Sequence, residues 1–419
     1  MSVTVSFDTN TASNGRRSPT VFEAGVPTLS YEDAPSAYEA HRRIAEARSA
    51  GPIVMGAHGP ELLSYETVRA ALRDHRLCVP PGLGLEAQGI TSGPLWDRAV
   101  STLLSVNGET HSRLRRLVCK AFTPRSVGRL ETTITEIISG LVDPLVDGGR
   151  CEVVEDIARP YPVPVIAELL GAPSEDWKLF SEWADDFFKL FQWNAAEHQP
   201  LILQAWAELD DYIDGMVAER RTSLTDDLIS ELIRAEDNGD RLSIEELRML
   251  AAGILMAGTD TTRNQLAAAV DVLCDHPDQW ELLAERPELA MNAVEEVMRF
   301  YPVVFGAMRM TMEDVFYDGV TLPAGTFVLV NTASANRDPE AYDDPDRFDI
   351  TRQGAPPMQT FGAGAHYCLG ANLARRELAE ALVVMAGRMR NLRRAEPATW
   401  KPLIGITGPA TLSIEFDAR

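Results

Sequence analysis

Along much of this chain apolar positions recur three and four residues apart, the spacing of one helix face. "AYEAHRRIAEARSAG" reads as a helix ending at Gly51, "PIVMG" and "PELLS" as two short strands around "AHG", and "SYETVRAALRDH" as a second helix. From about residue 110 to about 300 the pattern is helix after helix, with polar breaks such as "EDNGDR". The final third alternates instead: "VFYDGVTLPAGTFVLV" has the period of strands, and "TLSIEF" closes the chain. Residues 79–95, "VPPGLGLEAQGITSGPL", are rich in Pro and Gly and are expected to form a loop. A loop that long inside a compact domain is usually functional or disordered. The expected fold is mainly α with a small β region.

One helical pattern is unusually long. Ser243 and Glu246 form an S-x-x-E capping box, and the periodicity then runs on to about Cys274. About 30 residues span roughly 45 Å at helical rise, enough to cross a domain. Leu247, Ala251, Ile254, Gly258 and Thr261 fall near one face. Its middle, "AGTDTT" from Ala257 to Thr262, is poor helix sequence. Glycine costs about 1 kcal/mol there, and Thr and Asp side chains compete for backbone hydrogen bonds. A local distortion is expected at this point.

Composition narrows the partners. The 419 residues include 39 Lys and Arg against 62 Asp and Glu, a net charge of −23, which argues against nucleic acid as a partner. Residues 1–25 are polar, without the apolar core of a signal peptide, and are expected to be a disordered tail; 26–419 read as one domain. No apolar run approaches the roughly 20 residues of a membrane span. The five cysteines, Cys78, Cys119, Cys151, Cys274 and Cys368, are scattered, with no CxxC pair. A cytoplasmic protein with reduced thiols and no membrane anchor is expected.

The stretch "FGAGAHYCLG", residues 361–370, carries the sharpest chemistry. Ala374, Leu378, Leu382 and Met385 repeat at helical spacing just after it, which puts Cys368 at a helix N-terminus, where amides and the dipole favour a thiolate. Gly362 and Gly364 remove side chains that would keep a flat ligand from the backbone. The cysteine by itself leaves three readings open: a packed structural thiol, a nucleophile using His366 as base, or an axial ligand to heme iron.

As a whole, F-G-x-G-x-H-x-C-L-G resembles the heme-ligand loop of the cytochromes P450, with Phe361, Gly362, Gly364, His366, Cys368 and Gly370 filling its defining positions. "AGTDTT" is similar to the oxygen-binding kink of that family's central helix, the acid–alcohol pair falling on Asp260 and Thr261. Cleaving dioxygen consumes two protons, so a hydroxyl beside the oxygen and a carboxylate linked to solvent suit the task. "EEVMRFYP" resembles the family's E-x-x-R pair at Glu296 and Arg299, locked by a later arginine, Arg352, with Arg347 the second choice; this triad is implied to be structural. The segment "ANRDPEAYDDPDRFD" is likewise similar to the family's approach to the heme loop, so the resemblance covers roughly residues 50–415.

The resemblance implies a triangular, mostly helical single domain binding heme b (iron protoporphyrin IX), with Cys368 on the iron. Phe361 and Gly362 lie beside the cofactor in this reading, and His111, Arg115, Arg309 and His366 serve its propionates. His111 stands in "SVNGETH", where the family commonly has an acidic-Pro-Pro-Glu run. The implied activity is that of a monooxygenase inserting one atom of O2 into an apolar small molecule. NAD(P)H electrons would arrive through a ferredoxin and its reductase, since 419 residues leave no room for a fused reductase. Arg113, Arg116 and Lys120 would offer the ferredoxin a basic patch. Met256, Ala257, Phe187, Phe188, Val304 and Phe305 are candidate pocket residues, with Phe191 also in the aromatic helix. The expected state is a bacterial, monomeric protein. An H2O2-using peroxygenase and a catalytically silent heme sensor are the alternatives.

Overall fold

The computed structural model describes residues 18–237 and 242–418. Helices form the body, and they begin and end where the sequence supplies caps. Ser36 accepts from the Glu39 N–H to start the helix Ala37–Ala50, and the Gly51 N–H closes it on Ala47 and Arg48. Ser64 caps Tyr65–Ala71 in the same way. The capping box at Ser243 and Glu246 is present with both of its hydrogen bonds and starts the helix Ile244–Ala257. The helix Ala371–Arg388 turns Leu378, Leu382 and Met385 into the core, all of them buried. Trp280, Tyr161 and Phe180 lie fully buried in the same helical core.

The β structure gathers beside it. Strands Ile53–Gly56, Gly59–Leu62, Phe327–Val330, Ala307–Thr311 and Leu77–Cys78 form one five-stranded sheet in that order. Ile53 pairs with Leu62 across the first hairpin, and Arg309 pairs with Val328 in the middle of the sheet. Gly59–Leu62 and Phe327–Val330 run parallel; the other pairs are antiparallel. A second sheet joins Arg150–Glu152, Ser413–Ala418 and Met389–Arg394, so the C-terminal strand ties the chain's end to its first half. Among the described residues no helix is long and apolar enough to cross a membrane.

Several expectations change. The long helical pattern carries its distortion where it was expected, within Ala257–Thr262: it is two helices, Ile244–Ala257 and Asp260–Asp275, interrupted at Gly258 and Thr259. Gly258 packs against helix Pro162–Leu170, where a Cβ would come within 2.9 Å of Ile166 Cγ1. The 79–95 loop contains short 3-10 turns at Pro81–Gly84 and Glu86–Gln88, and a helix already begins at Pro94. Strands Arg150–Glu152, Ala307–Thr311 and Met389–Arg394 were not anticipated, because Arg309, Arg390 and Arg393 interrupt any clean alternation. The tail expected through residue 25 is packed from its later part: Val21 is 1% exposed and its N–H bonds the Thr321 carbonyl at 2.8 Å. Residues 1–17 of that tail, and most of the "EDNGDR" break, lie outside the described residues.

Candidate functional site

The loop before the helix Ala371–Arg388 is pinned from behind. Asn336 Oδ1 accepts the Gln359 N–H at 2.6 Å and its Nδ2 donates to Thr360 Oγ1 at 2.7 Å, while Thr360 Oγ1 donates to the Met298 carbonyl at 2.9 Å. Gly362 and Gly364 take left-handed φ of 68° and 69°, and a Cβ on Gly364 would sit 2.8 Å from the Leu72 carbonyl. The turn brings the Cys368 N–H to the Phe361 carbonyl at 2.9 Å. The Cys368 side chain is accessible, yet enclosed enough that burial raises its thiol pKa. It therefore opens onto an interior gap. The Gly370 amide, Arg115 and Arg375 pull the other way without overcoming burial, so the helix end alone does not yield the expected thiolate. A metal cation on the sulfur would.

His366 does not serve Cys368 as a base. Its Nε2 is 3.2 Å from Asn107 Oδ1, and its ring lies 4.0 Å from that of His111. The nucleophile reading of the cysteine therefore loses its partner.

The helix Ala371–Arg388 packs against Asp260–Asp275, the second half of the interrupted helix. Gly253 and Ala257 are exposed and Thr261 half-buried, although Leu250, Ala251, Ile254, Leu255 and Met256 around them are buried. Positions 253, 257 and 261 are one helix stripe, and a Cβ on Gly253 would meet nothing within 4 Å. Thr259 Oγ1 donates to the Leu255 carbonyl at 2.8 Å and Thr261 Oγ1 to Ala257 at 3.1 Å, the side-chain competition that loosens this turn.

Asp260 is 4% exposed. Its Oδ1 accepts from Arg263 Nε at 2.5 Å and Asn264 Nδ2 at 3.0 Å. Arg263 also pairs with Asp185, which holds Arg159 as well. Lys401 Nζ lies 2.8 Å from Asn264 Oδ1 and 4.0 Å from Asp260. Arg159, Asp185, Arg263, Asn264 and Lys401 together line a cavity of about 130 Å³.

A second set of charges is uncompensated. Arg309 is 6% exposed, donates to the Met308 carbonyl at 2.8 Å, and pairs with no carboxylate among the described residues. Burial draws its pKa down to about 10. Arg115 donates to the Tyr367 carbonyl at 2.5 Å and likewise has no carboxylate. Burial, with His111, Arg309 and Arg115 nearby, holds the His366 imidazole down to about 3, and burial lowers His111 too. Next to them opens a cavity of about 860 Å³ bordered by Arg73, His75, Asn107, Arg116, Arg309 and His366. A soft sulfur donor, glycines beside it, a flat accessible helix stripe and a corner of cations lacking anions fit an iron porphyrin with two carboxylates.

The Glu296–Arg299 pair is buried and bidentate, at 2.7 and 2.8 Å, and Arg352 Nε stands 3.3 Å from both Glu296 oxygens. Arg347 instead pairs with Asp349. Among the pocket candidates, Ala257 and Val304 are accessible, and Val304 bridges Ile406. Met256 is 1% exposed and turned into the core. Phe305 stacks on Tyr31 at 5.7 Å, and Phe187 meets Phe188 and Trp206 edge-on. Arg113 is bonded to Glu246, so the basic patch keeps Arg116 and Lys120. Sequence reasoning missed Gly253, one turn before Ala257 on the same stripe. It also missed Lys401, which a distant chain reversal delivers without any local signal.

A family described as "Cytochrome P450" matches residues 175–388. The chain is 35% identical to luteothin monooxygenase of Streptomyces thioluteus, over 94% of this chain and 97% of that one. It is 40% identical to mycinamicin IV hydroxylase/epoxidase of Micromonospora griseorubida, over 84% and 87% of the two chains. The crystal structure of CalO2 superposes with a TM-score of 0.87 at 32% identity, covering 93% of this chain and 99% of that one.

Proposed function

This chain belongs to the cytochrome P450 family and is a monooxygenase of it; on that premise we propose that it oxidises an apolar small molecule, using electrons passed from NAD(P)H through a ferredoxin and its reductase. The relatives named for luteothin and mycinamicin IV favour a bulky natural product as substrate. The observation that carries the site assignment is the accessible Cys368 thiol in an otherwise enclosed place, in the loop that leads into the helix Ala371–Arg388, itself packed against Asp260–Asp275.

Cys368 holds the heme iron in this reading, and His111, Arg115, Arg309 and His366 hold the propionates, with Phe361 and Gly362 alongside. Heme, when bound, supplies the iron at which O2 is activated. The chain's own part is to position substrate and manage protons. Thr261 Oγ1, which at rest donates to the Ala257 carbonyl, gives a proton on the open side of the stripe. Asp260 restores it, and Arg263, Asn264 and Lys401 link that carboxylate to the 130 Å³ cavity, through which water reaches it. Gly253 and Ala257 leave space for the ligand by lacking bulk.

The absorption spectrum of the reduced, CO-bound protein tests this. A strongly red-shifted band is expected from a thiolate ligand, and Cys368→Ser should abolish it. An unshifted band in the wild-type protein would overturn the ligand assignment.

A further inference from the structure

The C-terminal reversal that brings in Lys401 is braced at several points. Strands Thr399–Trp400 and Pro409–Thr411 pair, and the turn between them is closed by the Lys401 N–H on the Gly408 carbonyl at 3.0 Å and by Thr407 Oγ1 on the Lys401 carbonyl at 3.2 Å. Trp400 Nε1 ties its base to Asp271 at 3.1 Å. Further along, the Thr407 N–H bonds the Val303 carbonyl at 2.9 Å and Ile406 bridges Val304. Gly408, with φ of 145°, lies so close to Asn264 that a Cβ would come within 2.8 Å of that side chain's Cβ and Oδ1. A fixed turn therefore sets the lysine against Asn264.

Lys401 is half-buried, and among the described residues its Nζ bonds Asn264 Oδ1 at 2.8 Å and stands 4.0 Å from Asp260 Oδ1, the edge of ion-pair range. A lysine only donates, so the end of Asn264 that faces it is the oxygen, and the amide nitrogen faces the other way. There Nδ2 donates to the Asp260 carboxylate at 3.0 Å and to its backbone carbonyl at 2.7 Å. The carboxylate's closer partner, Arg263, is shared: Nε meets Asp260 at 2.5 Å, Nη2 also reaches Asp185, and Nη1 is buried without a partner among the described residues. Asp185 holds Arg159 besides. Were Asp260 to leave Arg263 for Lys401, Arg263 would keep Asp185, and no charge in the cluster would be stranded. Burial, with Arg263 and Arg159 adding to it, lowers the Lys401 pKa although Asp260 and Asp185 oppose the fall, so this ammonium is still short of negative charge.

We propose that Lys401 is a positioning residue for Asp260, its second holder: it orients the Asn264 amide on the carboxylate and takes up that carboxylate when Arg263 releases it. Arg263, Asn264 and Lys401 border the 130 Å³ cavity and Asp260 does not, so the acid communicates with the cavity by way of these side chains. Exchanging one cation for the other frees the carboxylate from Arg263 without leaving it bare. That this exchange serves proton delivery to Thr261 rests on the proposed function; the pairing itself does not.

Acetic anhydride labelling of the full-length protein tests the pairing without turnover. The chain has only four lysines, so Lys120, Lys178 and Lys189 serve as internal references when mass spectrometry reads the acetylation rate of Lys401. Only an unprotonated amine is acylated, and a closer carboxylate keeps the proton on. Arg263→Gln should slow Lys401 about fivefold, and adding Asp260→Asn to it should return the rate to within about twofold of the wild type. Asp260→Asn alone, which keeps Arg263 in place, should speed labelling about twofold. An unchanged rate in either single variant, or slowing that persists in full in the double variant, would overturn the proposal. In protein supplied with NADH, a ferredoxin and its reductase, Lys401→Met should raise the H2O/D2O ratio of NADH consumption about twofold, and Lys401→Arg should restore it. Equal ratios in the wild type and Lys401→Met would remove the positioning role. A wild type that consumes no NADH would instead overturn the proposed function, and the labelling would still decide the pairing.

Discussion

Two groups of buried arginines stand on either side of the cysteine loop, and they could hardly be treated more differently. Arg299, 2% exposed, gives two hydrogen bonds to Glu296 and others to the carbonyls of Asn336, Pro345 and Arg347, while Arg352 comes in on the same carboxylate. Arg309, buried almost as deeply, has one carbonyl and, among the described residues, no carboxylate. Buried ions are tolerable when fully bonded and costly when not. A buried charge answered from within the chain is therefore architecture, and one left unanswered marks where something from outside is to come.

The largest effect should come from breaking the answered cluster. Glu296→Ala strands two arginines, one of them fully buried, and should cost about 3–5 kcal/mol of stability. Urea denaturation of the heme-free protein measures it. A loss below about 1 kcal/mol would place the triad among pairs of no structural weight.

Arg309→Met should do the opposite to the heme-free protein. Removing an unpaired buried cation should leave stability unchanged or raise it by about 1–2 kcal/mol, while heme affinity falls about 10- to 100-fold. Heme titration of the heme-free protein, paired with its denaturation, reads both numbers. If both fell together, Arg309 would belong with the structural cluster.

Glu61 is a third case, a buried acid with a hydrogen bond from Asn331 but no cation among the described residues. Its folded pKa of about 7 lies above the ordinary 4.5, so the folded state holds the proton more tightly than the unfolded chain. Stability from this group is fully present below about pH 4.5 and is lost as pH rises to about 7, a difference of about 3–3.5 kcal/mol. Glu61→Gln should flatten that part of the pH–stability curve and make the variant the more stable protein at pH 8. A wild-type curve that rises between pH 5 and 7 as steeply as the variant's would remove Glu61 from the account.

These three cases also explain what the sequence could disclose. Helices with caps and apolar faces were legible, as were Cys368 with its glycines, Glu296 with Arg299, and the weak point at "AGTDTT", because each is written in neighbouring residues. Strand Met389–Arg394 was not: its charges are balanced only after folding, Arg393 by Glu415 and Arg394 by Asp271 and Asp275. Phe305 could be named a pocket candidate, but its stacking on Tyr31 required a contact across most of the chain. Whether a buried charge has a partner is a tertiary fact, and so the distinction between Arg299 and Arg309 could not be drawn from spacing.

The smallest effect carries the comparison to the surface. Arg113 and Arg116 lie three residues apart on the helix Gly108–Val118, and the first is bonded to Glu246 while the second is exposed without an ion pair among the described residues. By the same reasoning, if electrons come from an acidic ferredoxin as proposed, Arg116 is the one free to meet it. Arg116→Glu should raise the apparent KM for ferredoxin about threefold to tenfold and weaken its dependence on salt, since an exposed charge acts mainly through screened, long-range attraction. Arg113→Gln should instead show up as a small loss of stability, about 0.5–1 kcal/mol, from the lost bond to the start of the helix Ile244–Ala257. Reduction kinetics against ionic strength separate the two. Were Arg113→Gln the variant that changed the salt dependence, a paired charge would be the one reaching outward, and the rule drawn from the buried arginines would not extend to the surface.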